Sequence, residues 1–167
     1  MRIRYAYESP DRILGTAGAL KHAAPLLEER FFVLNGDSYL PIDPREPLAV
    51  FERRALDALM LVFKNDDQYG PSNTVVDDDW VTQYSRAKGE RRPGMAFIDY
   101  GLRIFNKRVL ELIAPDRFVD LDALYGALIA ERRLAAYPVE TPFHEIGSFE
   151  GLARFERSLA QCEPSVA

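Results

Sequence analysis

Apolar positions recur along the chain in two rhythms. Residues 3–7 alternate, with Ile3, Tyr5 and Tyr7 on one side, and predict a strand; after Gly15-Thr16, apolar residues at Ala17, Leu20, Ala23, Ala24 and Leu27 take helical spacing. Pro25 removes a helical hydrogen bond, so that helix is expected to kink or restart there. Residues 31–34 form a short unbroken apolar run, the kind buried on both faces of a parallel sheet, and Asn35-Gly36-Asp37 stops it. A helix over residues 48–56 and a second buried strand over 58–63 follow. Asp77-Asp78-Asp79 then reads as a hairpin turn between strands 74–76 and 80–84. Beyond it the pattern predicts a strand over 95–105, a short helix over 109–113 closed by Pro115, a longer helix over 121–132 and a strand over 135–139. Ser148 is placed to cap a last helix in which Leu152, Phe155 and Leu159 share a face. Strands alternating with helices predict an α/β domain whose sheet is mixed and mainly parallel.

Composition narrows this picture without redirecting it. The 167 residues make one domain, 1–167, and 47% hydrophobic with 28% charged residues is enough for a packed core. The longest uninterrupted apolar stretch, 58–63, is far below the roughly 18 residues of a membrane span, and the first twenty residues carry no secretory pattern, so the expected compartment is the cytoplasm. One cysteine, Cys162, allows neither an internal disulfide nor a cysteine-based zinc cage. With only His22 and His144 besides, a metal site would be built from oxygen ligands, favouring magnesium, calcium or manganese. A net charge of −5 offers no basic stripe for nucleic acid.

In an open α/β sheet, ligands bind beyond the carboxyl ends of the strands. Two segments fit that location. Around Gly15-Thr16-Ala17-Gly18, small residues at a helix start serve either tight helix packing or the close approach of a flat or anionic ligand; the spacing matches neither the dinucleotide nor the P-loop fingerprint. In Asn35-Gly36-Asp37 a carboxylate follows an apolar strand, where it either binds magnesium or caps its own turn. Asp99 and Glu145 also interrupt apolar stretches and are candidate second acids; Glu145 has the alternatives of pairing with an arginine or serving the helix at Ser148. His144 reads as simply hydrogen-bonded, and Asp77 to Asp79 as a solvated turn that lacks the calcium-loop pattern. The one basic cluster, Arg86, Lys88, Arg91 and Arg92, is either an exposed loop or an anion-binding flap.

Taken together and in order, these segments resemble the sugar-phosphate nucleotidyltransferases, which make a nucleotide-sugar and pyrophosphate from a nucleoside triphosphate and a sugar 1-phosphate. Glu8 followed by Leu14-Gly15-Thr16-Ala17-Gly18-Ala19 looks like the segment that lies against the nucleobase. Leu34-Asn35-Gly36-Asp37 looks like the segment whose aspartate binds the catalytic magnesium. Phe97-Ile98-Asp99-Tyr100-Gly101 takes the place of the strand that contacts the sugar, and Phe143-His144-Glu145-Ile146-Gly147-Ser148 that of the segment carrying the second metal ligand. Asp99 and Glu145 stand where the family more commonly has Asn and Asp.

The resemblance implies a Rossmann-like domain. It also implies Mg2+ on Asp37 and Glu145; nucleotide contacts from Gly15, Thr16, Gly18 and Gly36; sugar contacts from Asp99 and Gly101; and Lys88 or Arg86 on the sugar phosphate. The family's first strand and its glycine-rich triphosphate loop have no counterpart before Arg2, so the domain is expected to be N-terminally incomplete. Such a domain would be impaired in turnover and inclined to self-associate or to pair with a complete homologue. The competing reading is a non-catalytic nucleotide- or sugar-phosphate-binding or regulatory subunit.

Overall fold

A computed structural model describes residues 2–68, 70–87 and 93–162. Its centre is β3 (Ala58–Lys64), whose first five residues are all buried. β3 lies between β6 (Phe97–Asn106) and β7 (Leu134–Val139) in a six-stranded sheet that also takes in β1 (Arg30–Leu34), β4 (Thr74–Asp77) and β5 (Trp80–Tyr84), in the order β1-β6-β3-β7-β5-β4. A separate two-stranded ladder joins β2 (Ser38–Tyr39) to β8 (His144–Glu145).

The sheet is mixed, as expected, but not mainly parallel: among these pairs only β3 with β7 is parallel. The reason is topological. β1, β3 and β7 point the same way, but β6 inserts between β1 and β3 in the opposite sense, and the β4–β5 hairpin reverses the far edge. That hairpin turns at Asp78 and Asp79, both at positive φ (46° and 62°), the conformation a tight two-residue turn demands.

Because the side chains of a strand alternate, β3 feeds two cores. Ala58, Met60 and Val62 pack with Ala17 of α1 (Gly15–Ala23) and with Leu124, Tyr125 and Leu128 of α3 (Leu121–Ala130). Leu59 packs on the other side with Phe51 of α2 (Arg45–Arg53) and Ile104, while Leu61 meets Tyr100 and Leu102. Pro25 does end α1, which continues as one 3-10 turn over Ala24–Leu26. The short helix after β6 is likewise 3-10, Lys107–Leu112. At the hairpin end of the sheet, the guanidinium groups of Arg54 and Arg132 lie 5.5 and 5.6 Å from the centre of the Trp80 ring, and Asp79 and Asp78 pair with those same arginines.

Two further sequence expectations fail. Residues 3–7 are not a strand: Ile3, Tyr5 and Tyr7 are 59%, 67% and 79% exposed, and the segment joins no ladder among the described residues. Alternation fixes which side chains share a face; it does not supply a neighbouring edge. Residues 31–34 do form β1, but as an antiparallel strand whose one partner among the described residues is β6, and only Phe31 of the strand is buried. Among the described residues, no helix is long and apolar enough to cross a membrane.

The last helix, α4 (Phe149–Cys162), is capped as its sequence predicts: the Ser148 hydroxyl accepts from the Gly151 N–H at 3.0 Å. The same hydroxyl donates to Glu145 Oε2 at 2.7 Å, and this bond, with lesser help from the backbone N–H groups of Gly147 and Ser148, holds the Glu145 carboxyl below its ordinary value. Ser148→Ala is therefore expected to cost about 0.5–2 kcal/mol through the lost cap. It should also raise the Glu145 titration midpoint, which an NMR titration would read. The sign follows from the lowered value: this carboxylate favours the fold at neutral pH, and the advantage fades as the pH drops through its folded midpoint.

Candidate functional site

An open cavity of about 280 Å3 lies beyond the ends of β1 and β5, with the middle of β6 as one wall. Asp37, Asp99, Glu145 and Arg86 all line it, so four of the residues singled out by sequence meet in one place. Asn35, Asn73, Arg103 and Arg154 complete much of its polar lining.

Asp37 and Glu145 are brought together by backbone. Ser38 pairs with Glu145 in the β2–β8 ladder, and the Ile146 N–H donates to the Asp37 carbonyl at 2.8 Å. Gly147 packs between the two side chains: a Cβ there would stand 3.0 Å from both Asp37 Cβ and Glu145 Oε1. Gly151 packs more closely still against the Glu145 carboxylate and carbonyl, where a Cβ would overlap both. Among the described residues no group of three or more His, Cys, Asp or Glu side chains gathers to hold a metal. The all-oxygen pair of Asp37 and Glu145 suits Mg2+, which takes one or two carboxylates and completes its shell with water and substrate phosphate.

Asp99 occupies a different environment. Its side chain and that of Arg103 are only 6% and 5% exposed and form an ion pair. Arg103 NH2 donates to Asp99 Oδ2, the Gly101 N–H donates to Asp99 Oδ1 at 3.0 Å, and Arg103 NH1 donates to Asn35 Oδ1 at 2.7 Å. Burial is the largest influence on Arg103 and disfavours its charge, but Asp99, Tyr125 and Tyr84 acting together hold the guanidinium above its ordinary value. Burial likewise raises the neighbouring hydroxyls, Tyr100 to about 12 and Tyr84 further.

In a regular strand, residues four apart would sit about 13 Å from each other. Here Asp99 pairs with Val62 and Arg103 with Met60, so three residues of β6 oppose Leu61 alone, and Gly101 takes φ +94° inside this bulge. The irregularity brings the pair together on one face, a common use of bulges beside functional sites. Periodicity gave no hint of Arg103; the signal present was Gly101 in mid-strand, which marks a bulge.

The glycines of the first candidate segment are packed tightly. A Cβ on Gly15, at φ +71°, would lie 2.8 Å from the Val119 carbonyl, and one on Gly18 would lie 2.8 Å from the Arg117 carbonyl. The N–H groups of Ala17 and Gly18 both donate to that Val119 carbonyl, and Thr16 Oγ1 accepts from the Leu121 N–H at the start of α3. Gly15, Thr16 and Gly18 are thus engaged with residues 117–121 and are not among those lining the cavity. Gly36, in contrast, faces open space, and Gly101 touches the Asn35 side chain. Lys88, the alternative to Arg86, lies outside the described residues, as do Arg91 and Arg92.

No known family's sequence profile matches the chain, and no curated protein sequence does. Solved structures do. A protein described as a glucose-1-phosphate thymidylyltransferase from Bacillus anthracis superposes with a TM-score of 0.74 at 16% identity, over 90% of this chain and 63% of that one. An inositol-1-phosphate CTP transferase from T. maritima gives 0.70 at 20% identity, over 92% and 64%. A UDP-glucose pyrophosphorylase complexed with UDP-glucose gives 0.68 at 13% identity, over 90% and 63%. The fold is therefore the one these nucleotidyl-transferring enzymes share, and this chain spans less than two thirds of their length.

Proposed function

We propose that the chain carries the metal- and sugar-phosphate-binding part of a sugar-1-phosphate nucleotidyltransferase, the class of enzyme that joins a nucleoside triphosphate to a sugar 1-phosphate with release of pyrophosphate. The observation that carries this reading is the meeting of Asp37 and Glu145, 108 positions apart in sequence, in one cavity with Arg86. It is supported by a fold shared with enzymes of that chemistry.

Asp37 and Glu145 would hold Mg2+, which when bound neutralises charge on the α-phosphate. The chain's own residues then have positional tasks. Arg86, exposed at the cavity mouth, would pair with the phosphate of the incoming sugar, with Lys88 the alternative for the same role. Gly101 and Asp99 would shape the sugar's side of the cavity, and Gly36 would leave room for the nucleotide beside Asp37. Gly15, Thr16 and Gly18 would act on the nucleobase through the backbone of α1 that they set against residues 117–121. No covalent intermediate is needed. In-line attack on the α-phosphorus requires alignment and charge neutralisation, and these side chains offer both.

Calorimetry with a nucleoside triphosphate, with and without Mg2+, tests the reading. Wild-type protein should bind in a metal-dependent manner, and Asp37→Asn should weaken that binding by about tenfold or more, which is 1.4 kcal/mol or more. Equal affinity with and without Mg2+ would end the proposal. Pyrophosphate release on adding a sugar 1-phosphate then separates turnover from binding alone.

A further inference from the structure

We propose that Arg103 is a positioning residue that fixes the Asp37-bearing turn to the bulge of β6 and so sets where the Asp37 carboxylate stands relative to Glu145. The inference rests on the reading of Asp37 and Glu145 as the cation site, and it adds a residue that touches neither. The geometry is a closed circuit of hydrogen bonds. The Asn35 N–H donates to the Gly101 carbonyl at 2.9 Å, the Gly101 N–H to Asp99 Oδ1 at 3.0 Å, Arg103 to Asp99 Oδ2, and Arg103 NH1 back to Asn35 Oδ1 at 2.7 Å. Asn35 stands two residues before Asp37 in the same turn. On the other side of that turn, the Asp37 carbonyl is held by the Ile146 N–H. The turn is thereby clamped from two directions: β8 fixes its far end next to Glu145, and Arg103 fixes its near end.

The clamp is rigid because Arg103 is itself immobilised. Its backbone pairs with Val33 on one side and Met60 on the other, and its guanidinium lies 6.0 Å from the Tyr125 ring centroid. A planar fork that reaches two acceptors in fixed directions transmits orientation, which a lysine ammonium does not. Stability alone is a poor account of such a group, since an apolar pair in place of a buried ion pair is commonly neutral or better. Asn73 extends the network toward Arg86: its Oδ1 accepts from the Asp99 N–H at 3.0 Å, and its carbonyl accepts from the Ser85 N–H at 3.0 Å.

Two variants test this in the full chain. Asn35→Ala removes the acceptor at an exposed turn position and leaves the core alone; Arg103→Lys keeps the charge but loses the fork. Amide hydrogen exchange without any metal is the first readout. Both variants should speed exchange at positions 35 and 101 by about tenfold or more, with β7 and α3 unchanged. Mn2+ binding in the presence of a nucleoside triphosphate is the second. Each variant should weaken it roughly 10- to 100-fold, as loss of a supporting partner of a metal ligand does, and the double variant should be no weaker than the worse single one. Unchanged exchange at 35 and 101, acceleration spread over β7 and α3, or effects that multiply in the double variant would each overturn the proposal. If wild-type protein binds no Mn2+, the cation reading fails, and the positioning role is decided by the exchange data alone.

Discussion

Replacing Asp99 by leucine will destabilise the fold by about 3–5 kcal/mol, because it strands the Arg103 guanidinium in the interior without its counter-charge. The side chains of both are almost wholly inaccessible, and Arg103 Nε has no hydrogen-bond partner among the described residues, so the neutral contacts that remain, Asn35 Oδ1 and the Tyr125 ring, would not replace the lost counter-charge. Set against the roughly 5–15 kcal/mol that small domains have in total, this is a large share. Asp99→Asn, which still offers an oxygen to Arg103 and to the Gly101 N–H, should lose less. The double variant Asp99→Leu with Arg103→Met should recover most of the loss, since it removes both charges together. Urea unfolding followed by circular dichroism measures all three. A loss below about 1 kcal/mol for Asp99→Leu would show that Arg103 finds its way to water and that the pair is not the buried unit described above.

Gly151→Ala is the second large effect, and it runs against helix propensity. Alanine inside a helix normally gains roughly 0.5–1 kcal/mol over glycine. Here the new methyl would overlap both the carboxylate and the main-chain carbonyl of Glu145. A rotamer change can clear the first but not the second, so either α4 or β8 must shift. The expected net cost is about 1–3 kcal/mol, as for other overpacked positions. Mn2+ affinity should fall as well, because Glu145 is displaced from Asp37. Gly126→Ala is the control: it sits in α3 with no atom in the way and should be neutral or slightly stabilising in the same melts.

Much of this molecule is legible in its sequence, and the parts that are not share a cause. Elements with local signals came through: the break at Pro25, the hairpin at Asp78 and Asp79, the cap at Ser148 and the apolar run of β3. Each depends on interactions within a few residues. What pattern cannot carry is the identity of a strand's neighbour. Among the described residues, 3–7 alternate correctly yet find no edge, and 31–34 look doubly buried yet form an antiparallel strand paired on one side only.

The site divides along the same line. Asp37, Asp99 and Glu145 were visible as acids beside apolar stretches and Arg86 as part of the one basic cluster, and the cavity gathers all four. The environment of Asp99 was not visible, because its partner lies across a bulge that strict alternation does not anticipate. Gly151 escaped notice too, since a glycine in the first turn of a helix signals nothing until the carboxylate packed on it is seen.

The packing of Arg54 and Arg132 on Trp80 has a practical corollary. It is the only tryptophan in the chain, so fluorescence excited at wavelengths that the eight tyrosines do not absorb comes from one indole seated at the hairpin end of β5. The opposite end of that strand, Tyr84, lines the cavity about 13 Å away. Emission will therefore follow whether the hairpin stays docked on α2 and α3, and will be largely silent to what occupies the cavity. Melts of site variants followed by this tryptophan emission consequently report chiefly on the scaffold, with little contribution from changes at the carboxylates.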